Sequence, residues 1–369
     1  MVVAAFAIML AVMLPVCKAV WRTLVQYPIL VALPVWATIS TAWSQYPVRS
    51  LAAGVQVMVL TLFGIYIPVR FTPRQQMQLF VFAGVMTAVL SWATAALYPS
   101  AGIDYKNVTI GVEGIFPQKN ICAVVTIELL TAGLCYRFRG RNAAAKRFGF
   151  VFLLLTLIVA TMARTGWILL ILVAGFIALL KGLHRLRPLE RFVVTWFLPA
   201  LSAAGAWLVF VYRFDLLHLI GKGATLSGRT DIWQAVFLSI VKRPWTGFGY
   251  AAFWVAGAPE ATRLAQLLGD KTLGNAENGV LQLWLEVGLV GVLIMFVLLI
   301  RSTRNAIACF RSNTPNYAIW YITIIFINLL ALVDGDKFLL WTSLEWAMFI
   351  MADVGLANEA RRLKAIRPA

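Results

Sequence analysis

The sequence predicts an all-α, polytopic integral membrane bundle with about 11 spanning helices, at ~20 apolar residues for each crossing, folded as one membrane domain over residues 1–369. Three observations carry this. Hydrophobic residues make up 61% of the chain and charged residues 13%, whereas soluble domains are about 25% charged. The mean hydropathy is +0.83. Apolar runs near spanning length recur from end to end. The same composition excludes disorder, collagen-like repeats and disulfide-rich secreted folds.

The runs fall at 2–17, 24–43, 51–69, 79–97, 120–136, 148–163, 167–180, 192–212, 279–300, 317–333 and 338–356. The first has no basic residue ahead of it, as a signal peptide would; Lys18 and Arg22 follow it instead. Leu14-Pro15-Val16-Cys17 resembles a lipoprotein box, but Val16 is large for the position before the cysteine. The runs 148–163 and 167–180 are short, and their junction Met162-Ala163-Arg164-Thr165-Gly166 reads as a tight polar turn.

Net charge is +17, from 32 Lys and Arg against 15 Asp and Glu. Most of the base lies in short connections on alternate sides of the runs, which reads as topology and not as nucleic-acid binding. Lys18 and Arg22, Arg70 and Arg74, the 137–147 and 181–191 stretches, Arg301 to Arg311 and the C-terminal cluster share one side. That side is expected to be cytoplasmic, with the C-terminus. Cys17, Cys122, Cys135 and Cys309 form no CxxC pair, and His184 and His218 are too few for a histidine metal cluster. No metal or cofactor is implied.

Two outer segments exceed ordinary turns: 98–119 and the long polar loop 213–278. Within the latter, Ile232, Trp233, Val236, Phe237 and Ile240 recur at helical spacing between Thr230 and Lys242. This predicts an amphipathic helix lying along the membrane, capped by Thr230 or Asp231. Pro244 ends it, Gly247-Phe248-Gly249-Tyr250 makes a turn, and a second short helix is expected near Pro259–Leu268.

Base on the outer side runs against the topology rule. Lys242 and Arg243 read as snorkelling anchors. Arg229, just ahead of the amphipathic helix, differs: opening amides and a guanidinium together make an anion cradle, and a diphosphate fits it. Arg164 in its tight turn and Lys119 opening a membrane helix are two further groups of this kind. Glu277, at the outer mouth of the helix starting near Gly279, is either a helix cap or a general base at the water–membrane boundary. Trp233, Tyr250 and Trp254 are candidates for stacking on sugar faces, or members of an interfacial aromatic belt. Glu128, Glu286, Glu345 and Asp353 lie in membrane runs and form a rival constellation, that of a carboxylate-coupled transporter.

Five stretches, in order, resemble the O-antigen ligase and polymerase-like superfamily, in particular its exopolysaccharide-production polymerase subgroup. They are Trp43-Ser44 with Pro47; Glu113 to Asn120; Ala163-Arg164-Thr165-Gly166; Ser227 to Trp233 followed by Pro244, Gly247, Gly249 and Tyr250; and Glu277-Asn278-Gly279 leading to Leu285, Gly288, Leu289 and Gly291. The resemblance implies a bacterial inner-membrane glycosyltransferase with a periplasmic active site. Its substrate would be a glycan on undecaprenyl diphosphate, with neither nucleotide sugar nor metal, and with membrane lipids, a flippase and a chain-length regulator as partners. It assigns the diphosphate to Arg229, Arg164 and Lys119. Where the family usually has His before Asn-Gly, this chain has Glu277, in the place given to activation of the acceptor hydroxyl. Polymerase and ligase differ only in acceptor: another lipid-linked repeat, or a lipid A core.

Overall fold

The computed structural model describes residues 2–105, 109–183, 229–268, 274–311, 315–333, 339 and 344–366. They are almost entirely helical. Among them, six helices are long and apolar enough to cross a membrane: Ala5–Gln26, Pro47–Arg70, Pro73–Leu97, Ala143–Ala160, Arg164–Leu183 and Gly279–Phe310. The expected run at 192–212 lies outside the described residues. The chain divides into two compact units. One comprises 1–64, 182–301 and 328–350; the other comprises 65–181, 302–327 and 351–369.

In the first unit, α1 (Val2–Met13) and α2 (Cys17–Gln26) are joined through a 3₁₀ turn at Leu14–Val16. Pro15 lacks the amide that an uninterrupted α-helix would use there. The first apolar stretch therefore runs on past Lys18 and Arg22, further than its hydropathy alone indicates. Pro28 then starts α3 (Ile29–Ile39), so the expected run 24–43 is cut at Tyr27. α4 (Pro47–Arg70) has proline at its first position, where a missing N–H costs nothing.

The second unit is built on α5 (Pro73–Leu97), α7 (Lys119–Cys135) and α8 (Ala143–Ala160), which pack on one another. A capping box starts α5: Thr72 N donates to Gln75 Oε1 at 2.9 Å, and Gln75 N to Thr72 Oγ1 at 3.4 Å. Close approach of the three helices depends on glycine. A β-carbon on Gly133 would lie 2.1 Å from the Phe150 ring, and one on Gly84 3.0 Å from it. Between α5 and α7, the segment read as an outer loop folds into a short helix α6 (Pro99–Gly102) and two antiparallel strands, β1 (Ile103–Asp104) and β2 (Gly111–Val112). Ile103 pairs with Val112 and Asp104 with Gly111. The Met162 turn is as tight as its sequence suggests. Met162 takes a left-handed φ of 51°, and α9 (Arg164–Leu183) starts two residues on.

Beyond these lie α10 (Arg229–Ile240), α11 (Pro259–Leu268), α12 (Gly279–Arg311), α13 (Asn316–Val333) and α14 (Glu345–Ile366). The run expected at 338–356 is displaced toward the C-terminus: its helix starts at Glu345, whose carboxylate in the first turn complements the helix dipole.

Candidate functional site

The described part of 213–278 is a folded module in the first unit. Ala235, Val236 and Ile240 of α10, Phe248, Phe253, Leu264 of α11, Ala276 and Leu285 form a buried apolar cluster. α11 coincides with the helix read from the sequence. α10 departs from expectation in its facing: Ala235 and Ser239 are buried, whereas Phe237 and Leu238 are exposed. Val236 and Ile240 enter the core and Ile232 packs on it as the spacing suggests, but small residues carry little hydrophobic signal, so the predicted stripe includes Phe237 where Ala235 and Ser239 belong. The helix packs on the module's own core. Lys242 and Arg243 are not simple anchors either. Lys242 Nζ pairs with Glu260 at 2.6 Å, and the Arg243 guanidinium lies 5.2 Å from the centre of the Phe248 ring and donates to the Trp43 carbonyl at 3.3 Å.

The module is fastened to a break in α12. At Gly288 the backbone leaves the helix with φ 73° and ψ −178°. A break inside an apolar segment strands carbonyls and amides where no water can satisfy them. Here Pro244–Gly249 takes their place. Phe248 N donates to Leu285 O at 3.0 Å and Gly249 N to Glu286 O at 2.9 Å; Leu289 N donates to Pro244 O at 2.8 Å and Val290 N to Trp245 O at 3.4 Å. Trp36 Nε1 donates to Val287 O at 2.8 Å. Such contact demands residues without side chains. A β-carbon on Gly247 would stand 2.6 Å from Glu286 backbone atoms, and one on Gly288 2.1 Å from Trp245 O.

The Trp43-Ser44 stretch joins the same structure. Trp43 Nε1 donates to Thr246 O at 2.9 Å, Ser50 Oγ to Tyr250 O at 2.7 Å, Arg49 Nε to Ala251 O at 2.8 Å, and Tyr250 N to Ser40 Oγ at 2.9 Å. Three of the five sequence stretches thus converge on residues 244–251. Long-range backbone contact of this kind leaves no local trace in a sequence.

Glu277 sits above this junction with a left-handed φ of 48°, rare for a residue with a side chain. Its N–H donates to Asn275 Oδ1 at 2.8 Å. It is not the helix cap. Asn278 is: its Oδ1 accepts from Val280 N at 3.1 Å and Leu281 N at 3.0 Å. One turn on, Gln282 Oε1 accepts from Trp254 Nε1 at 2.9 Å and from Ala276 N at 3.0 Å, while its Nε2 donates to Glu286 Oε1 at 2.8 Å. Trp254 is therefore held edge-on by a polar relay that ends at a buried carboxylate. The sequence reading passed over Asn278 and Gln282, although Asn directly before a helix is a strong capping signal.

Tyr250 is 2% exposed, and its hydroxyl donates to the Leu339 carbonyl. Its ring pins the module from within and presents almost no face to a ligand. Trp233 is half-buried on α10. Arg229 opens α10, one residue before the expected caps; its side chain, like residues 213–228 and 269–273, lies outside what the structure describes.

In the second unit the two other cationic candidates differ sharply. Lys119 is buried. Its Nζ lies 3.6 Å from Asp104 Oδ2 and donates to the carbonyl and, at 2.9 Å, to the hydroxyl of Thr109. Strand β1 delivers the matching charge. Arg164 is exposed at the start of α9 and has no ion pair or hydrogen bond with any described residue. The two are neighbours through β2: a Gly111 β-carbon would stand 2.1 Å from Thr161 O, in the turn before Arg164, and 3.3 Å from Lys119 Cδ.

Two of the rival carboxylates are hydrogen-bonded within their own units: Glu286 to Gln282 at 2.8 Å, and Asp353 to Ser302 at 2.8 Å. Glu128 and Glu345 are buried. Among the described residues no three His, Cys, Asp or Glu side chains gather as a metal site requires.

Helices of spanning length in a chain this apolar define a multi-pass helical membrane protein, here with a folded module clamped onto a broken helix and an exposed arginine at a helix opening. Comparison with known proteins narrows the class. The model of the O-antigen ligase family matches residues 149–297, a stretch that holds Arg164, Arg229 and Glu277. The chain is also 23% identical over 284 residues to the exopolysaccharide production protein ExoQ of Rhizobium meliloti (strain 1021), covering 73% of this chain. It spans about 63% of that relative's length. Over residues 149–297 the chain is similar to the O-antigen ligase family.

Proposed function

We propose that the protein polymerises oligosaccharide repeat units carried on undecaprenyl diphosphate, as a metal-independent glycosyltransferase of the bacterial inner membrane with its site toward the periplasm. The observation that carries this reading is Arg164: an exposed guanidinium, without a partner among the described residues, at the opening of a helix inside the family-matched stretch. Such a group is poised for an anion, because helix-end amides and the guanidinium fork both favour phosphate oxygens.

In the reaction an acceptor sugar hydroxyl attacks the anomeric carbon of the donor glycan. The new C–O bond forms as the bond to undecaprenyl diphosphate breaks, and the acceptor proton passes to a base. Negative charge grows on the departing diphosphate, so fixed cations there stabilise the transition state more than the ground state. Arg164 and Arg229 are assigned that role. Lys119, already matched by Asp104, borders Arg164 and fixes the loop beneath it. Glu277 is assigned to orient or deprotonate the acceptor. Its left-handed backbone is the kind of strain that functional positions retain. Trp233 and Trp254 are the aromatic residues left for glycan contact.

The test is purified full-length protein with lipid-linked repeat units. Arg164→Ala is expected to cut polymer formation by about 10²–10³, the usual cost of losing one donor to a developing anion, while its melting temperature stays at the wild-type value. Undiminished polymer would reject the assignment. A ligase reading is favoured by the match to the O-antigen ligase family; it predicts glycan transfer when a lipid A core is supplied as acceptor and no elongation without it.

A further inference from the structure

At the other end of α7 from Lys119 and Arg164, about 25 Å away along 17 helical residues, the second unit holds a cavity of about 430 Å³. Arg74, Arg137 and Arg139 line it together with Met77, Cys135 and Tyr317. The three arginines come from separate elements: Arg74 from the first turn of α5, the other two from the chain leaving α7. None of the three has an ion pair or hydrogen bond with a described residue. Glu359, which meets the lining at Tyr317, is already bound: it accepts from the Tyr317 hydroxyl at 2.9 Å and lies 3.8 Å from Arg362. The α7 carbonyl of Leu134 is taken by Lys181 Nζ at 2.9 Å. The openings of α5 and α13 add their positive dipole ends to the same hollow.

Three guanidiniums from separate elements share one concavity, and Met77, Cys135 and Pro315 make part of its lining apolar. A ridge also leads away from it. Arg74, Gln78, Phe82, Met86 and Leu90 follow one another at four-residue steps along α5, all exposed. Each step brings neighbours into contact and turns about 40°, so the row winds as an inclined ridge around the helix. Gln78 is fixed by its hydrogen bond to Tyr136 at 2.8 Å, next to Arg137. An anionic head beside an apolar track is the outline of a phospholipid.

We infer that this cavity binds the phosphate of an anionic phospholipid, with an acyl chain laid along the α5 ridge. It is a lipid site on the face opposite the proposed chemistry, and it stands whether or not the transferase reading holds. Basic hollows at membrane-helix ends are built for such heads. An acyl chain needs the Phe82–Leu90 track; a free phosphate does not.

The test is native mass spectrometry of the full chain with dioleoylphosphatidylglycerol, dioleoylphosphatidylcholine or inorganic phosphate. Phosphatidylglycerol is expected to bind well above phosphatidylcholine. The combined change Arg74→Gln, Arg137→Gln and Arg139→Gln is expected to weaken it on the order of a hundredfold, at roughly fivefold for each charge. Arg141→Gln on the same connection with Lys146→Gln in the first turn of α8, both outside the cavity lining, is expected to leave it unchanged. Equal loss in this control pair would show diffuse surface attraction and overturn the proposal. So would inorganic phosphate that binds as well as phosphatidylglycerol and displaces it.

Discussion

Gly288→Ala strikes the junction between the 244–251 module and α12. Its φ of 73° with ψ of −178° is a conformation essentially reserved for glycine and costs a residue with a side chain about 1–3 kcal/mol. The added methyl would also stand 2.1 Å from the carbonyl oxygen of Trp245 and 2.3 Å from its carbon, both backbone atoms that no rotamer change can move. Helix or loop must shift, and four backbone hydrogen bonds span the contact. At a net ~0.5–1.5 kcal/mol each, losing two or three and adding the strain gives about 4 kcal/mol. Hydrogen exchange on detergent-solubilised protein reads this directly. Peptides covering 244–250 and 285–290 are expected to lose protection by about a thousandfold, since ~1.4 kcal/mol is tenfold, while peptides from α8 keep theirs. Gly149→Ala in α8 and Gly175→Ala in α9 meet open space. They are expected to stabilise by about 0.5–1 kcal/mol, as alanine does for glycine within a helix. Wild-type protection of both junction peptides in Gly288→Ala would refute the docking account.

Lys119→Ala leaves Asp104 buried, with its side chain only 3% exposed. It is expected to destabilise the chain by about 3–5 kcal/mol, and Lys119→Ala with Asp104→Asn should recover much of that in thermal melts; equal loss in both would deny the pair. Asn278→Ala removes the α12 cap and is expected to cost about 1 kcal/mol without abolishing glycan transfer, whereas Glu277→Gln is expected to lower transfer with little change in melting temperature. Exchange of the two outcomes would hand the capping role back to Glu277. Tyr250→Phe loses one buried hydrogen bond, worth about 1 kcal/mol. It is expected to keep its affinity for the lipid-linked glycan, and weaker binding would restore Tyr250 as a glycan contact.

Much of the local structure was legible. The Met162 turn, the bounds of α11 and the end of α10 before Pro244 follow from polarity, proline and helical spacing, which act over a few residues. The Gly247, Gly249 and Gly288 pattern was visible, but its meaning was not. Each glycine serves a contact with chain far away in sequence, so the motif looked like chemistry where it is in large part a clamp. Phe237 was placed inward because a large apolar side chain outweighs Ala235 and Ser239 on any hydrophobic scale. Packing made the opposite choice, since small residues allow α10 to approach its core closely.

By composition and periodicity, the amino-acid order determined a multi-pass helical membrane protein, because continuous apolar runs near ~20 residues satisfy their own backbone in hydrocarbon as helices. It equally marked Lys119 and Arg164, two cations that each open a helix. Only the tertiary structure separated them. Strand β1 brings Asp104 against Lys119 and matches its charge, while Arg164 stays exposed beyond a left-handed turn. A charge is available or spent according to what stands within a few ångströms of it, and those distances are set by the fold.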